Sequence, residues 1–220
     1  MYEHSVVVHL KEVASEFDSP TFVDAGAHYG YFTVYMSLLG GSSGKVCSFE
    51  PNGKSFKTLA ENVALNNLKN VTLHRSALAD QRGVVTLGQS KFLPSFSSEQ
   101  RRMEYSDDPT RERIEAIQFD DIADIEGISA DIVKIDVRGA EGNVVAGMRK
   151  SLRNVSHIYC ELHEEMYWYG YEPKDIIGAL QDRGFETFEF REFRTQTGRL
   201  DEISDDLLSN PHGRMIYAHR

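Results

Sequence analysis

Short apolar runs alternate with helix-length amphipathic stretches along this chain. The strand-like runs cover residues 21–24, 45–49, 71–74, 131–137 and 155–161. The stretches with helical spacing or helix-capping residues cover residues 31–39, about 56–65, 139–148 and 173–183. Alternation of this kind is typical of βαβ units, in which each helix connects two parallel strands. The pattern therefore predicts an α/β fold with a mostly parallel sheet and helices on both faces.

Two further strand-like runs, residues 185–190 and 215–219, complete the predicted sheet as edge strands in an antiparallel pair. The pattern weakens at about residues 82–118, where two extra strands, 82–87 and 114–117, flank a long polar segment. A loop of that length is usually functional or mobile. This one fits a disordered surface insertion or a lid over a substrate. We expect one domain over residues 1–220, with its core at about 20–220 and an insertion at about 82–118.

The formal net charge of −10 argues against a broad nucleic-acid-binding surface, which needs clustered Lys and Arg. No apolar run approaches the roughly 18 residues of a membrane span. The N-terminus lacks the basic start and the cleavage site of a signal peptide. We therefore expect a cytoplasmic protein without nucleic-acid or membrane partners. A homodimer through an edge strand is compatible with the sequence but is not required by it.

The two cysteines, Cys47 and Cys160, each lie inside a predicted strand. Free cysteine in such a position behaves as a small buried hydrophobic residue. The predicted topology places the two on strands that are not neighbours, so a disulfide would need distorted geometry. We expect two structural thiols.

The strand predicted at residues 21–24 runs into a turn that contains Gly26 and Gly30 and then into a helix. Glycine permits close approach of the backbone to a ligand. The spacing Asp24-x-Gly26-x-x-x-Gly30 differs from the Gly-x-Gly-x-x-Gly that binds a pyrophosphate. The next predicted strand ends about 20 residues further on in Glu50, a carboxylate suited to the hydroxyls of a ribose. The pair predicts a ligand with an adenosine and no phosphate, such as S-adenosylmethionine.

Ligands of open α/β sheets bind beyond the carboxyl ends of the strands. That rule brings residues 24–30, 50–52, 76–78, 136–141 and 161–163 to one edge of the predicted sheet. The candidate cofactor-binding residues on this edge are Asp24, Gly26, His28, Gly30, Glu50, Pro51, Ser76, Ala77 and Asp136. Asp24 is expected either to accept hydrogen bonds from the loop or to contact the ligand.

Methyl transfer from a sulfonium mainly requires donor and nucleophile to be held in line, but a hydroxyl nucleophile must also lose its proton. The candidate catalytic residues are Asp136, Glu161 and His163, and Glu141 and His28 also lie on the same edge. His163 has the pKa nearest neutrality, and Glu161 shares its side if the strand continues. His163 also fits a buried histidine bonded to a loop. No segment has a compact set of metal ligands, so no metal is predicted, although several carboxylates on one edge leave that question open.

The segment 164–171 is unusually aromatic and contains the only Trp. Aromatic side chains beside a ligand-binding edge can stack on a substrate or shield a cation. They fit packing against the helix that follows Pro173 equally well.

Four segments in this order resemble the FkbM family of S-adenosylmethionine-dependent methyltransferases: FVDAGAHYGYFT, FEPN, NVTLHRSALAD and VKIDVRGAE. The resemblance spans about residues 20–165. It implies a Rossmann-like class I methyltransferase fold with a seven-stranded sheet, S-adenosylmethionine as the cofactor, and most often O-methylation of a small molecule or sugar.

Two residues depart from the family pattern. His28 stands where the family usually carries Asn, and Arg138 stands where it usually carries Glu. Arg138 fits an ion pair with a nearby acid or a contact to an anionic group of the substrate. The departures leave two rival interpretations: an adenosine-binding module without catalysis, and a nicotinamide-dependent oxidoreductase. The loop spacing and the lack of a Tyr-x-x-x-Lys pair argue against the second.

Overall fold

The computed structural model describes residues 3–87, 103–104 and 112–220 of the 220-residue chain. The helices are α1 (His4–Ala14), α2 (Tyr31–Gly40), α3 (Gly53–Leu65), α4 (Phe119–Glu126), α5 (Glu141–Ala146), α6 (Pro173–Gln181) and α7 (Asp205–Ser209). The strands are β1 (Thr21–Ala25), β2 (Lys45–Phe49), β3 (Val71–His74), β4 (Ala77–Leu78), β5 (Gly83–Leu87), β6 (Met103–Glu104), β7 (Arg113–Ile117), β8 (Ile132–Ile135), β9 (His157–Leu162), β10 (Glu186–Arg191), β11 (Arg199–Asp201) and β12 (Arg214–His219). Short 3-10 helices cover Ser151–Arg153 and Glu164–Tyr169.

The main sheet has eight strands in the order β11-β10-β12-β9-β8-β1-β2-β3. The strands from β9 to β3 are parallel, and the three at the other end are antiparallel. The predicted α/β class with a mostly parallel sheet is confirmed. Each predicted strand of the parallel part is present, with ends that differ by at most a few residues.

The expected number of strands, seven, is too low by one, because β11 pairs with β10 and adds an eighth strand at that edge. It is only three residues long and half exposed, so it has too few positions to show a strand period. The last strand is also not at an edge. β12 pairs antiparallel with β10 as predicted, but it lies between β10 and β9. Four consecutive buried residues, Met215–Ala218, are typical of a strand covered on both faces.

The extra strands predicted around the insertion form a sheet of their own, in the order β4-β7-β5-β6. Its first strand begins at Ala77, three residues after β3 ends, so the second sheet leaves the main sheet at the carboxyl edge. The long polar segment predicted at 88–113 lies almost entirely outside the described residues.

Three helices, α1, α4 and the five-residue α7, were missed by the sequence analysis. In α1, the buried Val6, Leu10 and Val13 recur at helical spacing, a signal that the first 17 residues carried. In α4, the helix has only eight residues, and buried positions such as Phe119 and Ala123 are too few to define a period.

Alternate residues of the central strands face two separate cores. One face packs Phe22, Val46, Ile132 and Tyr159 with the apolar side of α1 and α2. The other packs Val23, Val133, Ile158 and both cysteines with α5 and α6. Cys47 and Cys160 are free and buried, on β2 and β9, with β1 and β8 between them, as predicted. Burial raises the pKa of the Cys47 thiol to about 12.

Within the described part of the chain, the helices are all too short or too polar to cross a bilayer.

The antiparallel end of the sheet is held by Glu189 of β10, whose carboxylate is buried. It accepts hydrogen bonds from Ser204 Oγ (2.5 Å) and from Arg214 Nη2 of β12 (2.6 Å). Burial by itself raises the pKa of Glu189, but these hydrogen bonds and the charges of Arg214 and Arg191 outweigh it, so the pKa is lowered.

A lowered folded-state pKa means that ionised Glu189 stabilises the fold above its unfolded pKa of about 4.3, and that this contribution disappears as the pH falls through the folded-state value. We expect Glu189→Gln to lower the free energy of unfolding by about 1–3 kcal/mol at pH 7. The difference from wild type should shrink below pH 4.3. Urea unfolding between pH 7 and pH 3.5 measures it, with exposed Glu61→Gln as the matched control. An equal difference at both ends of that range would contradict this role of the charge.

Candidate functional site

The glycine-bearing loop after β1 lies across the end of β2. The amide groups of Gly26 and Ala27 both donate to the carbonyl of Phe49 at 3.0 Å. Gly26 has φ +84°, and a Cβ there would lie 1.9 Å from the carbonyl oxygen of Asp136. Only glycine therefore permits this approach, which brings the loop against the carboxyl end of β8.

Glu50 anchors the loop at the end of β2. Its two carboxylate oxygens accept the backbone amides of His28 and Asn52, each at 2.8 Å. Glu50 thus holds the loop to the end of β2. Asn52 in turn caps α3, because its Oδ1 accepts the amides of Lys54 and Ser55.

His28 is exposed and has φ +49°. This left-handed region is uncommon for side-chain-bearing residues, but Asn, Asp and His are enriched there. The substitution of His for the family's Asn therefore keeps a residue that tolerates the loop conformation.

Asp24 lies beneath the loop rather than in it. Its carboxylate is buried and accepts a hydrogen bond from Thr33 Oγ1 of α2 at 2.6 Å. Thr33 also bonds to Ser48 Oγ of β2 at 2.8 Å. Burial raises the pKa of Asp24, although the charge of Lys134 and the bond from Thr33 act in the opposite direction. Asp24 ties β1 to α2, a partner that sequence reasoning did not identify.

Lys134 is the central residue that sequence reasoning missed. It lies within the apolar β8 run, is only 2% exposed, and pairs in register with Asp24. Its Nζ is 3.2 Å from Asp136 Oδ2 and 4.5 Å from the ring centre of Phe32. Burial by itself lowers the pKa of Lys134, but the surrounding carboxylates, Asp136 first, outweigh it and raise the pKa. The lysine is a buried, charged partner of two site carboxylates.

The three predicted catalytic residues come together at the ends of β8 and β9. His163 Nε2 lies 3.8 Å from Asp136 Oδ1 and 3.7 Å from Glu161 Oε1. The extended backbone continues through His163, so Glu161 and His163 share one side of the strand as predicted. His163 Nδ1 is hydrogen-bonded to Glu141 Oε1 at 2.8 Å, and Glu141 also accepts the Gly139 amide. Glu141 thus orients His163 rather than facing the acceptor.

The electrostatics of this cluster follow from burial and from its neighbours. Burial raises the pKa of Asp136, but Lys134, His163 and Arg138 outweigh it, so the pKa is lowered. Burial and the charge of Asp136 raise the pKa of Glu161. Burial lowers the pKa of His163, but the bond to Glu141 and the three nearby carboxylates raise it overall. The cluster is a partly neutralised acidic site with a basic imidazole at its centre.

Two arginines, Arg138 and Arg194, lie near this cluster. Arg138 is exposed, has φ +54°, and forms no ion pair with any other described residue, so the ion-pair interpretation finds no support there. Arg194 Nη2 contacts Glu161 Oε1 at 2.5 Å. It also lines a cavity of about 420 Å³ formed largely by β10, β12 and their connections.

Ser76 and Ala77 are buried at the junction of the two sheets, beyond the end of β3. The hydroxyl of Ser76 and the side-chain amide nitrogen of Asn52 are buried and have no hydrogen-bond partner in the described part of the chain. Pro51, which precedes Asn52, is half-buried. These two donor groups fit a polar ligand on this side of the loop.

The aromatic segment is partly buried and partly exposed, and its contact with a substrate stays a prediction. Met166 is buried in the core, and the ring of Tyr171 packs on Gly142 of α5. Tyr167 and Trp168 are about half exposed, at 45% and 56%.

The chain is similar to known methyltransferases. The family model described as Methyltransferase FkbM domain matches residues 24–187. A methyltransferase of Sordaria araneosa is 25% identical over 215 residues, which cover 84% of this chain and 81% of that protein. The hexuronic acid methyltransferase AglP of Haloferax volcanii is 26% identical over 186 residues, with coverage of 84% and 70%.

Solved structures share the fold. The structure of Methyltransferase FkbM from Methylobacillus flagellatus matches with a TM-score of 0.59 and 14% identity over 92% of this chain, which corresponds to only 44% of that longer chain. Other solved chains with this fold include complexes with S-adenosylmethionine or its demethylated product.

Lys134→Met tests the buried charge network. Removing the ammonium group leaves Asp24 and Asp136 without their cation, so we expect the free energy of unfolding to fall by about 3–5 kcal/mol. Lys57→Met is the matched control, because Lys57 is exposed and its pair with Glu61 contributes at most about 1 kcal/mol. Chemical denaturation at neutral pH measures both. Equal stability of the two variants would mean that the carboxylates do not need this charge.

Proposed function

The chain belongs to the FkbM methyltransferase family, and from this premise we propose that it transfers the methyl group of S-adenosylmethionine to a hydroxyl oxygen of a small molecule or sugar. The observation that carries this proposal is the contact between Gly26 and the Asp136 carbonyl. That contact puts the loop suited to the adenosine cofactor against the strand end that carries the acidic cluster. The binding sites for the methyl donor and for the hydroxyl acceptor would then lie next to each other.

The residues around the loop fit the cofactor. Gly26 and Gly30 allow the loop to pack closely against Asp136 and Leu59, and Glu50 lies where ribose hydroxyls would be accepted. The buried donors of Ser76 and Asn52 lack partners in the described part of the chain and suit the acceptor atoms of an adenine or ribose. When bound, the cofactor supplies a methyl carbon already activated by a positively charged sulfur.

The cluster of Asp136, Glu161 and His163 supplies what the acceptor needs. Its negative charge favours a cationic donor nearby, since opposite charges attract more strongly where water is excluded. The hydroxyl of the acceptor must lose a proton as its oxygen forms the bond to carbon. We assign that proton to this cluster as a unit, with Glu141 holding the imidazole of His163 in place.

The acceptor class rests on the relatives. One relative over most of this chain is a hexuronic acid methyltransferase, which supports a sugar acceptor. The arginine-lined cavity beside Glu161 is compatible with an acidic sugar, because guanidinium groups bind carboxylates in a planar fork.

A thermal-shift titration tests the cofactor. S-adenosylmethionine and S-adenosylhomocysteine at about 100 times their Kd should each add roughly 2.7 kcal/mol of stability, which is several degrees in Tm. NAD(H) should add none. Glu50→Ala should remove the shift, because both the loop anchor and the ribose acceptor are lost. Exposed Glu61→Ala should keep it. A shift with NAD(H) alone would overturn the proposal.

A transfer assay tests the catalytic cluster. With methyl-labelled cofactor and a panel of sugars and uronic acids, the wild type should label at least one acceptor. His163→Gln should reduce turnover by about 10²–10⁴-fold, the range associated with loss of proton handling, and keep the thermal shift. Cofactor binding without transfer to any acceptor would instead support a binding module that lacks catalysis.

A further inference from the structure

Asp136, Glu161 and His163 form a compact set of ligand atoms. The side chains come from two neighbouring strand ends, and one ligand atom from each lies within 4.8 Å of the other two. Glu161 and His163 are almost completely buried, and Asp136 is 20% exposed at the rim. The set is therefore reachable from solvent on the side of Asp136 and enclosed on the others.

Each of these residues uses one polar atom to hold its position and leaves the other unused. Asp136 Oδ2 pairs with Lys134, and Glu161 Oε1 pairs with Arg194. His163 Nδ1 is bonded to Glu141.

The remaining atoms do not satisfy one another. In the described part of the chain, Glu161 Oε2 and His163 Nε2 are buried without a hydrogen-bond partner. His163 Nε2 lies 3.8 Å from Asp136 Oδ1 and 3.7 Å from Glu161 Oε1, the oxygen that already pairs with Arg194, and both distances are too long for hydrogen bonds. A buried polar atom without a hydrogen-bond partner is rare and destabilises the fold, so we expect a further ligand to bind these atoms.

We propose that Asp136, Glu161 and His163 bind a divalent transition-metal cation, for which Mn²⁺ is the test ion. Carboxylates suit Mg²⁺ and Mn²⁺, imidazole suits transition metals, and a mixed set of two carboxylates and one imidazole favours the latter. The Glu141–His163 bond supports this assignment independently. A metal-binding histidine almost always donates its other ring N–H to a carboxylate or carbonyl, which fixes the tautomer and the ring orientation.

The local charge also favours a cation. Asp24, Asp136, Glu141 and Glu161 contribute four carboxylates to this network, against the three fixed positive groups of Lys134, Arg138 and Arg194. The carboxylates remain in excess over these fixed positive charges.

The role of the cation rests on the proposed function. Three protein ligands leave coordination positions open, which an acceptor hydroxyl could occupy. Coordination lowers the pKa of the bound oxygen. With the cation bound, the cluster would act on the proton through it: the hydroxyl proton would leave to water at the exposed side of Asp136 and would not be retained by the ligand side chains. The oxygen forms its bond to the methyl carbon as the carbon–sulfur bond breaks, and the electron pair stays on the sulfur of the neutral product.

A second grouping in the described residues, Cys47, His74 and Glu126, has similar spacing but does not fit. Glu126 is exposed, and among the described residues no carboxylate is hydrogen-bonded to the ring of His74 in the way that Glu141 holds His163. This grouping provides a matched negative control.

The experiment is a Mn²⁺ titration of the full, chelator-treated chain, with the electron paramagnetic resonance signal of free Mn²⁺ as the readout. Wild type should bind one ion. His163→Gln and Glu161→Gln should weaken binding at least tenfold, and Glu141→Gln should weaken it by about 10–100-fold, as expected for a second-layer carboxylate. His74→Gln should bind within twofold of wild type.

Circular dichroism and the thermal shift with S-adenosylhomocysteine show that each variant is folded. The proposal is overturned if wild type binds no Mn²⁺ at 1 mM total ion, or if folded His163→Gln binds as wild type does. Mn²⁺ binding without a cofactor shift would leave the metal site standing and remove the proposed function. A cofactor shift without Mn²⁺ binding would do the reverse.

Discussion

The buried ammonium group of Lys134 is the interaction on which the site depends. A desolvated charge in the middle of a sheet is tolerated only with close partners of opposite sign. Lys134 meets this requirement with Asp24, its register partner on β1, and with Asp136, which follows β8. The positive charge of Lys134 therefore favours the ionised form of both acids. Removing either strand from its register would leave an unpaired ion in the core.

Asp136 connects the two halves of the site. Its carbonyl oxygen faces Gly26 in the loop after β1, and its side chain faces Lys134 on one oxygen and His163 on the other. The backbone thus positions a cofactor loop while the side chain belongs to the acidic cluster. Because both contacts originate in one residue, a shift at the end of β8 would move the two subsites together.

At the site, a buried glutamate side chain holds the backbone of each of two loops, the loop after β1 and the loop after β8. Glu50 accepts the amide of His28, and Glu141 accepts the amide of Gly139. Both loops contain a residue with a side chain in the left-handed region, His28 at φ +49° and Arg138 at φ +54°. Such conformations persist where surrounding contacts enforce them, and they are concentrated at functional sites. The two residues that depart from the family pattern therefore both occupy left-handed loop positions.

Periodicity and local chemistry along the chain were enough to predict the parallel strands, the glycine loop, the Glu50 carboxylate and the set Asp136, Glu161 and His163. These features depend on neighbours a few residues away, or on the general rule that parallel strands end at one edge. The position of β12 inside the sheet, the added strand β11, the pairing of Lys134 with Asp24, and the bond from Glu141 to His163 were decided only by the tertiary structure. Each joins residues at least 20 positions apart or depends on which strands become neighbours, and a linear pattern carries no information on either. The roles of Lys134, in an apolar run, and of Glu141, near Gly139, can be identified only in the folded protein. Burial removes water from both groups, and each then pairs with a side chain on another part of the fold.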